Sequence, residues 1–136
     1  MSSSTFILIK PDGVRRKLVG KILSRFEDKG FEISNLHYLN NVYSYTTEAH
    51  YEEHRGKPFF KTITQSLAEG PIVMFTATAV NAVKLGRDLL VKIREDYASG
   101  LSHENVIHAS DSDENVMREL HIWNYALEVK WCYRGE

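Results

Sequence analysis

The sequence predicts an α+β fold of the split βαβ, ferredoxin-like class: a four-stranded antiparallel sheet covered by helices on one side. The first observation is that short β-prone segments alternate with segments whose apolar residues recur at helical spacing. The second is their order: βαβ, a helical hairpin, a second βαβ unit and a last helix. The length of 136 residues suits one core, so we expect a single domain over residues 1–136.

The first βαβ unit is predicted near the start of the chain. Residues 5–9 (TFILI) form its first strand, and 10–13 (KPDG) form a turn because proline fixes φ and Asp-Gly favours a reversal. Apolar residues recur at helical spacing over 18–26, and Gly30 suits the left-handed end of that helix. Residues 31–38 are the predicted second strand.

A helical hairpin is predicted after the second strand. Thr47 is expected to cap a helix over 47–53, and a further helix is expected over 59–68. The third strand is the most continuous β-prone segment of the chain, residues 72–77 (IVMFTA). The apolar spacing after it predicts a helix that ends at about Leu90.

The last strand and helix are predicted close together. Residues 106–109 form the strand, and the pair Asp111 and Glu114 has the spacing of a capping box. Val116 and Trp123 belong to the apolar face of the helix that follows. The sequence therefore predicts a very short connection between this strand and this helix.

The overall charge gives no general attraction to polyanions. Seventeen basic and eighteen acidic residues leave a net charge of -1, so we expect no requirement for nucleic acid or a membrane surface. The single cysteine, Cys132, has no internal disulfide partner, and the chain has neither a secretory leader nor an apolar stretch long enough to span a bilayer. We expect a cytoplasmic protein.

Basic residues at the ends of elements are candidates for binding phosphate. Neither G-x-x-x-x-G-K-[ST] nor G-x-G-x-x-G occurs in the chain, so side chains would have to hold a phosphate. Lys10 follows the first strand, Arg87 lies near the end of the helix after the third strand, and Arg94 is expected in the next loop. Each of them taken singly is more commonly a solvated surface charge.

His108 is the candidate nucleophile. A lone histidine at a strand end is more often a core residue bonded to a carbonyl, but here Asn105 and Ser110 flank it. Glu119 lies on the following helix, whose return could bring its carboxylate to one imidazole nitrogen. A carboxylate in that position fixes the tautomer and leaves the other nitrogen free to attack.

Two further patterns have competing interpretations. His50 and His54 are spaced i and i+4 and could bind zinc, but Tyr51 stands where a zinc hydrolase needs glutamate, and no third ligand is evident. Phe59 could stack on a base, although an aromatic residue at a helix start is more often partly buried in the core.

In this order, "TFILIKPDGV", "HYEEHRGKPFF", "EGPIV" and "NVIHASDS" resemble the nucleoside diphosphate kinase family, from Thr5 to about Trp123. The resemblance implies a ping-pong reaction in which a nucleoside triphosphate phosphorylates His108 and a nucleoside diphosphate then takes the phosphoryl group. It also implies Mg²⁺ carried by the nucleotide phosphates rather than by protein ligands.

The resemblance implies a role for each matching residue. Lys10 contacts the sugar hydroxyl and the phosphoryl group, and Tyr51 lies beside the histidine and phosphate. The remaining matches are Phe59, which stacks on the base; Arg87 and Arg94, which bind phosphate; Asn105, which binds the sugar; and Ser110 and Glu119, which support His108. Stacking without base-specific hydrogen bonds would accept any base.

The chain departs from the family in one loop. Only six residues, DLLVKI, separate Arg87 from Arg94, where the family has a long loop containing a phosphate-binding threonine. Glu95 replaces a family glycine close to the expected phosphate site. The family loop also packs between subunits, so its loss affects the assembly, for which we expect a homo-oligomer, a dimer or higher. Because the loop helps to shape the nucleotide site, we also expect an altered base or sugar preference.

The sequence therefore predicts a nucleoside diphosphate kinase that acts through His108. The alternative is a nucleotide-binding regulatory protein of the same fold whose turnover is impaired by the short loop and Glu95. A zinc hydrolase built on His50 and His54 is a third possibility.

Overall fold

A computed structural model describes residues 1–97, 99–100 and 104–133. Within these ranges no helix has the length and apolar character needed to cross a membrane. The side chain of Cys132 lies outside the described part. The elements, in chain order, are β1 (Ser2–Ile9), α1 (Pro11–Arg15), α2 (Val19–Asp28), β2 (Glu32–Leu39), α3 (Ser44–His50), a 3₁₀ turn (Glu52–His54), α4 (Phe60–Ala68), β3 (Ile72–Val80), α5 (Ala82–Tyr97), β4 (Ile107–Ala109) and α6 (Asp113–Tyr133).

The strands form one antiparallel sheet in the order β2-β3-β1-β4. Each strand of the first βαβ unit pairs with a strand of the second unit, which is the predicted split βαβ arrangement. Leu8 of β1 faces His108 of β4 in the register. The short strand β4 thereby holds His108 beside a central strand of the sheet.

Helices pack against both faces of the sheet, not against one side as expected. Alternate residues of β1 enter different cores: Ile7 and Ile9 pack with α2 and α5, whereas Phe6 and Leu8 pack with Trp123 of α6. Every residue from Thr5 to Ile9 is buried. The continuous apolar run in β1 is therefore the sequence signature of a strand that is covered on both faces.

Two short helices differ from expectation. The predicted turn at 10–13 contains a short helix, because Pro11 occupies its first position, where its fixed φ is suitable and its missing N–H costs nothing. The helix predicted over 47–53 begins at Ser44 and ends at His50. Thr47 does not cap it but is buried within it, and its hydroxyl donates to the Ser44 carbonyl.

The boundaries of α5 and α6 also differ from expectation. α5 continues past Leu90 to Tyr97, because Leu89, Leu90 and Ile93 extend its buried face. At the start of α6, Ser112 accepts the Asn115 N–H at 3.1 Å, so Ser112 is the capping residue in place of the predicted capping-box residue. The predicted left-handed end at Gly30 is confirmed by its φ of 89°.

Candidate active site

A pocket of about 620 Å³ collects almost all the residues singled out in the sequence. Those that line it are Lys10, Tyr51, Phe59, Arg87, Arg94, Asn105, His108 and Glu119. Ser110 is buried behind the lining and reaches the pocket only through Glu119. Side chains separated by up to about a hundred positions thus meet at one place.

The tautomer of His108 is set by its contact with Glu119. Its Nε2 lies 3.0 Å from both carboxylate oxygens. Since a carboxylate only accepts, Nε2 carries the proton, and the lone pair is on Nδ1. Burial, followed by the charges of Lys10 and Arg94, lowers the pKa of His108 to about 3. A neutral ring in this tautomer can attack an electrophile through Nδ1.

Glu119 is also held by the buried Ser110 and by the partly exposed Arg118. The Ser110 hydroxyl donates to Oε1 at 2.5 Å, and Nη2 of Arg118 lies 3.7 Å from Oε2. Burial raises the pKa of Glu119, while the hydrogen bond from Ser110 and the charge of Arg118 oppose this shift. Ser110 and Arg118 therefore fix the carboxylate, and Ser110 acts on His108 through it.

Lys10 places a buried positive charge in the pocket. Its Nζ donates to Oδ1 of Asn105 at 2.6 Å and lies 5.9 Å from the centre of the Tyr51 ring. Burial, followed by the charge of Arg94, lowers the pKa of Lys10 to about 8. The ammonium group is thus mostly protonated at pH 7, and a phosphate oxygen would favour that form further.

The segment before β4 is tied down by Asp12, which the sequence did not single out. Val106 has a φ of 74°, a costly conformation for a β-branched residue. Its N–H donates to Oδ2 of Asp12 at 3.1 Å, and its carbonyl accepts the Lys10 N–H at 2.8 Å. These two bonds hold the turn that brings Asn105 into the pocket.

Arg87 and Arg94 both lie on α5, whereas Arg94 was expected in a loop. Arg87 donates to the carbonyl of Ala109 at 3.0 Å, and Arg94 donates to that of Ile107 at 2.7 Å. The Nε of Arg94 is buried without a partner in the described structure. Both guanidinium groups therefore border the pocket with donors that remain for a ligand.

Glu95 does not lie where the shortened loop suggested. It is an exposed residue of α5 and is not among the residues that line the pocket. Because α5 is helical here, Glu95 projects about 100° around the axis from Arg94. The expectation that the Glu95 carboxylate lies next to a bound phosphate is therefore wrong for this chain.

A wall of rings connects the two ends of the pocket. The centroid distances are 4.5 Å from His108 to His50, 4.8 Å from His50 to Tyr51, 6.2 Å from Tyr51 to His54 and 5.4 Å from His54 to Phe59. Phe59 is 45% exposed, so its face is open to a flat ligand. The cationic end of the pocket and the open aromatic ring are thus at opposite ends of this wall.

His50 lines the pocket, although the sequence offered it only as a weak zinc candidate and did not single it out as a site residue. It is 3% exposed, and its Nδ1 accepts the Trp123 Nε1–H at 3.1 Å. Its ring meets the ring of His108 at 78°, whereas His54 contacts Phe59. The only sequence signal for its role is the position next to Tyr51 at a helix end.

The described residues do not fit a zinc site. Their one cluster of possible metal ligands consists of His50, His108 and Glu119, with ligand atoms within 4.8 Å of one another, and it excludes His54. The lone pair on Nδ1 of His50 is taken by Trp123, so Nε2 of His50 carries a proton. A metal could bind Nε2 only if this hydrogen bond were broken.

Comparison with known proteins places the chain among named enzymes. A sequence model of the family "Nucleoside diphosphate kinase" matches residues 3–129. A nucleoside diphosphate kinase of an Exiguobacterium species is 40% identical over 88% of this chain and 91% of its own length. That of Sulfolobus acidocaldarius is 43% identical over 88% of each chain.

Solved structures show the same fold. The nucleoside diphosphate kinase of Aquifex aeolicus superimposes with a TM-score of 0.82 at 28% identity, over 90% of this chain and 94% of that one. The enzyme of Halobacterium salinarum, solved in complex with CDP, gives a TM-score of 0.77 at 28% identity, over 90% and 87% of the two chains. The split βαβ sheet of this chain is therefore shared with enzymes of this name.

Proposed function

This chain belongs to the nucleoside diphosphate kinase family of phosphotransferases, and on that basis we propose that it transfers the γ-phosphoryl group of a nucleoside triphosphate through His108. The acceptor is a nucleoside diphosphate, and residues 1–136 act as one catalytic domain. The observation that carries the proposal is the hydrogen bond from Nε2 of His108 to Glu119, in a pocket lined by three cations.

In the first half-reaction, Nδ1 of His108 attacks the γ-phosphorus of the donor. A P–N bond forms, the bond from the γ-phosphorus to the bridging oxygen breaks, and the electron pair leaves with the nucleoside diphosphate. Nε2 keeps its proton and its bond to Glu119, which stabilises the positive charge that develops on the ring. In the second half-reaction, a terminal phosphate oxygen of the acceptor attacks the phosphorus and frees Nδ1.

The cations of the pocket are the proposed phosphate ligands. Lys10, Arg87 and Arg94 supply fixed donors where charge accumulates on the transferring group, and this preorganisation is the main contribution expected for phosphoryl transfer. Tyr51 is proposed to position the phosphoryl group, since its ring is the member of the wall of rings next to Lys10, whose Nζ lies 5.9 Å from its centre. Burial raises the pKa of Tyr51 to about 12, so its hydroxyl stays a donor.

The nucleoside is proposed to lie along the wall of rings. The exposed ring of Phe59 would stack on the base, and Asn105 would bind the sugar while its Oδ1 accepts from Lys10. Mg²⁺ would be bound by the nucleotide phosphates and would neutralise part of their charge. The nitrogen-rich cluster of His50, His108 and Glu119 does not suit a hard, oxygen-preferring cation, which supports this arrangement.

We also propose that the chain works as a cytoplasmic homo-oligomer. β2 is an edge strand of the sheet, and its Leu36 and Tyr38 are 51% and 57% exposed. Exposed apolar side chains on an edge strand favour contact with another chain, and a second copy is the simplest partner. Sedimentation at several concentrations would test this, and a monomer at all of them would contradict it.

The decisive experiment is to incubate the protein with γ-labelled ATP and Mg²⁺ and to test the acid and alkali stability of the label that remains. Wild type and the control His121→Ala, altered at an exposed residue of α6, should retain an acid-labile, alkali-stable label, and His108→Ala should retain none. Addition of unlabelled CDP should then release the label as CTP. A wild type that binds ATP without label would instead indicate the nucleotide-binding regulatory protein.

A further inference from the structure

We propose that His50 is a positioning residue whose flat ring holds the imidazole of His108 in the orientation that exposes Nδ1. This inference rests on the proposed nucleophilic role of His108. No step of the proposed reaction uses His50, although it is a buried, ionisable side chain in direct contact with the proposed nucleophile.

The need for such a residue follows from the conformational freedom of histidine. Rotation about the Cβ–Cγ bond has broad, roughly two-fold minima, so the rotamer alone does not decide which nitrogen faces Glu119. A flip of the His108 ring would remove Nε2 from the carboxylate and would turn Nδ1 away from its present direction. The hydrogen bond to Glu119 distinguishes the two flipped orientations, and packing against the ring is needed to keep it from rotating out of that bond.

The packing around His108 is made of rings. The ring of His50 meets it at 78° with the centroids 4.5 Å apart, and the ring of Phe6 lies 6.3 Å away at 53°. Trp123 braces both neighbours, because it stacks on Phe6 at 6.2 Å and contacts His50 at 5.6 Å. Since Trp123 is 1% exposed, this frame is anchored in the core.

The hydrogen bond from Trp123 also fixes His50 itself. The indole N–H is only a donor, so Nδ1 of His50 must be the acceptor and its proton must be on Nε2. Burial lowers the pKa of His50 well below its ordinary value. His50 is thus a neutral ring of one tautomer, which packs against His108 without adding a charge that would weaken the nucleophile.

The test separates the flat ring of His50 from its hydrogen bond. His50→Gln keeps an acceptor for Trp123 but removes the ring, whereas the double variant His50→Phe/Trp123→Phe keeps a ring and removes both the donor and the acceptor. His121→Ala, at an exposed residue of α6, is the control. The readouts are the tautomer of His108 from ¹⁵N NMR of the free protein, the single-turnover rate of phosphohistidine formation, and KM for ATP.

We expect the wild type, the control and the double variant all to show the Nε2–H tautomer of His108. Their rates of His108 phosphorylation should lie within about threefold of one another, because the orientation of the ring is kept. His50→Gln should show a tautomer mixture and phosphorylate His108 about 10-fold to 100-fold more slowly, with KM changed by less than about threefold. A residue needed only for folding would not produce this combination.

Three results would overturn the proposal. One is that His50→Gln keeps the Nε2–H tautomer of His108 and forms phosphohistidine at the wild-type rate. Another is that the double variant is folded, as judged by near-ultraviolet circular dichroism, but phosphorylates His108 as slowly as His50→Gln does. If His50→Gln does not fold, the double variant decides, and a tautomer mixture in it also overturns the proposal. Absence of label in the wild type would contradict the proposed function, while the NMR measurement would still report on His50.

Discussion

Arg87 and Arg94 lie on the same face of one continuous helix and donate to alternate carbonyls of β4. Seven residues are about two helical turns, so the two side chains leave α5 in nearly the same direction. The six residues between them, which the sequence presents as the remnant of a long loop, form helix and set this spacing. The two proposed phosphate ligands are thus placed by rigid backbone without the loop.

We predict that Arg94→Lys raises KM for ATP by about tenfold with a smaller effect on kcat. Lysine keeps the charge but cannot donate to the Ile107 carbonyl and to a phosphate in the same fork geometry, and one charge-assisted hydrogen bond is worth about 1.4 kcal/mol or more. Steady-state kinetics with ATP and CDP measures this. Lys92→Ala, at an exposed position of the same helix, is the matched control.

If Arg94→Lys leaves KM unchanged while Arg87→Lys raises it, only Arg87 binds phosphate. That result would contradict the equivalent roles proposed for the two arginines.

We predict that Glu95→Gln changes kcat/KM by less than about twofold. Glu95 is exposed and lies outside the pocket, so its charge is screened by solvent and salt. The comparison is made at physiological ionic strength with the same donor and acceptor. A tenfold gain in the variant would mean that Glu95 opposes phosphate binding, as the nucleotide-binding regulatory alternative requires.

We predict that kcat/KM declines as the pH rises above about 8. The pKa of Lys10 is about 8 in the free protein, so the ammonium proposed to bind phosphate is progressively lost above that pH. The pKa of His108 is about 3, so its lone pair remains available down to well below neutral pH. A pH profile of kcat/KM measures both limits.

Lys10→Arg is the control for this profile, because arginine does not titrate in this range and the alkaline decline should disappear. Lys10→Ala should mainly slow phosphoryl transfer at all pH values. An alkaline decline that persists in Lys10→Arg would assign it to another group.

We predict that Glu119→Ala slows phosphorylation of His108 by about 100-fold, a smaller loss than that caused by His108→Ala. The variant keeps the nucleophile but removes the acceptor that fixes its tautomer. Ser110→Ala should cost less again, because Ser110 acts only through Glu119. Single-turnover rates rank the three variants, and equal losses in Glu119→Ala and His108→Ala would require a direct chemical role for Glu119.

The base and sugar preference stays a prediction from the shortened loop. The open face of Phe59 suits any base, so a preference would have to come from polar groups beside it. A comparison of kcat/KM across the acceptor diphosphates tests it, and equal values would contradict it.

The order of the elements and most of the site follow from the sequence alone. Local periodicity and β-propensity give the order, because both are properties of short segments. The motifs that contain Lys10, His108 and Glu119 predict the candidate site, because a nucleophile, a carboxylate that orients it and a cation are groups that phosphoryl transfer can use. These predictions depend on neighbouring residues or on motif identity, and both are visible in the chain.

Three features emerge only in the folded chain: the contacts of His50, the covering of both faces of the sheet and the helical position of Arg94. His50 meets His108 across 58 positions and Trp123 across 73, and no periodic pattern encodes such contacts. The end of α5 was set by burial of Ile93 against the core rather than by a local stop signal. Packing selects among locally acceptable conformations, so these features are determined only when the elements assemble.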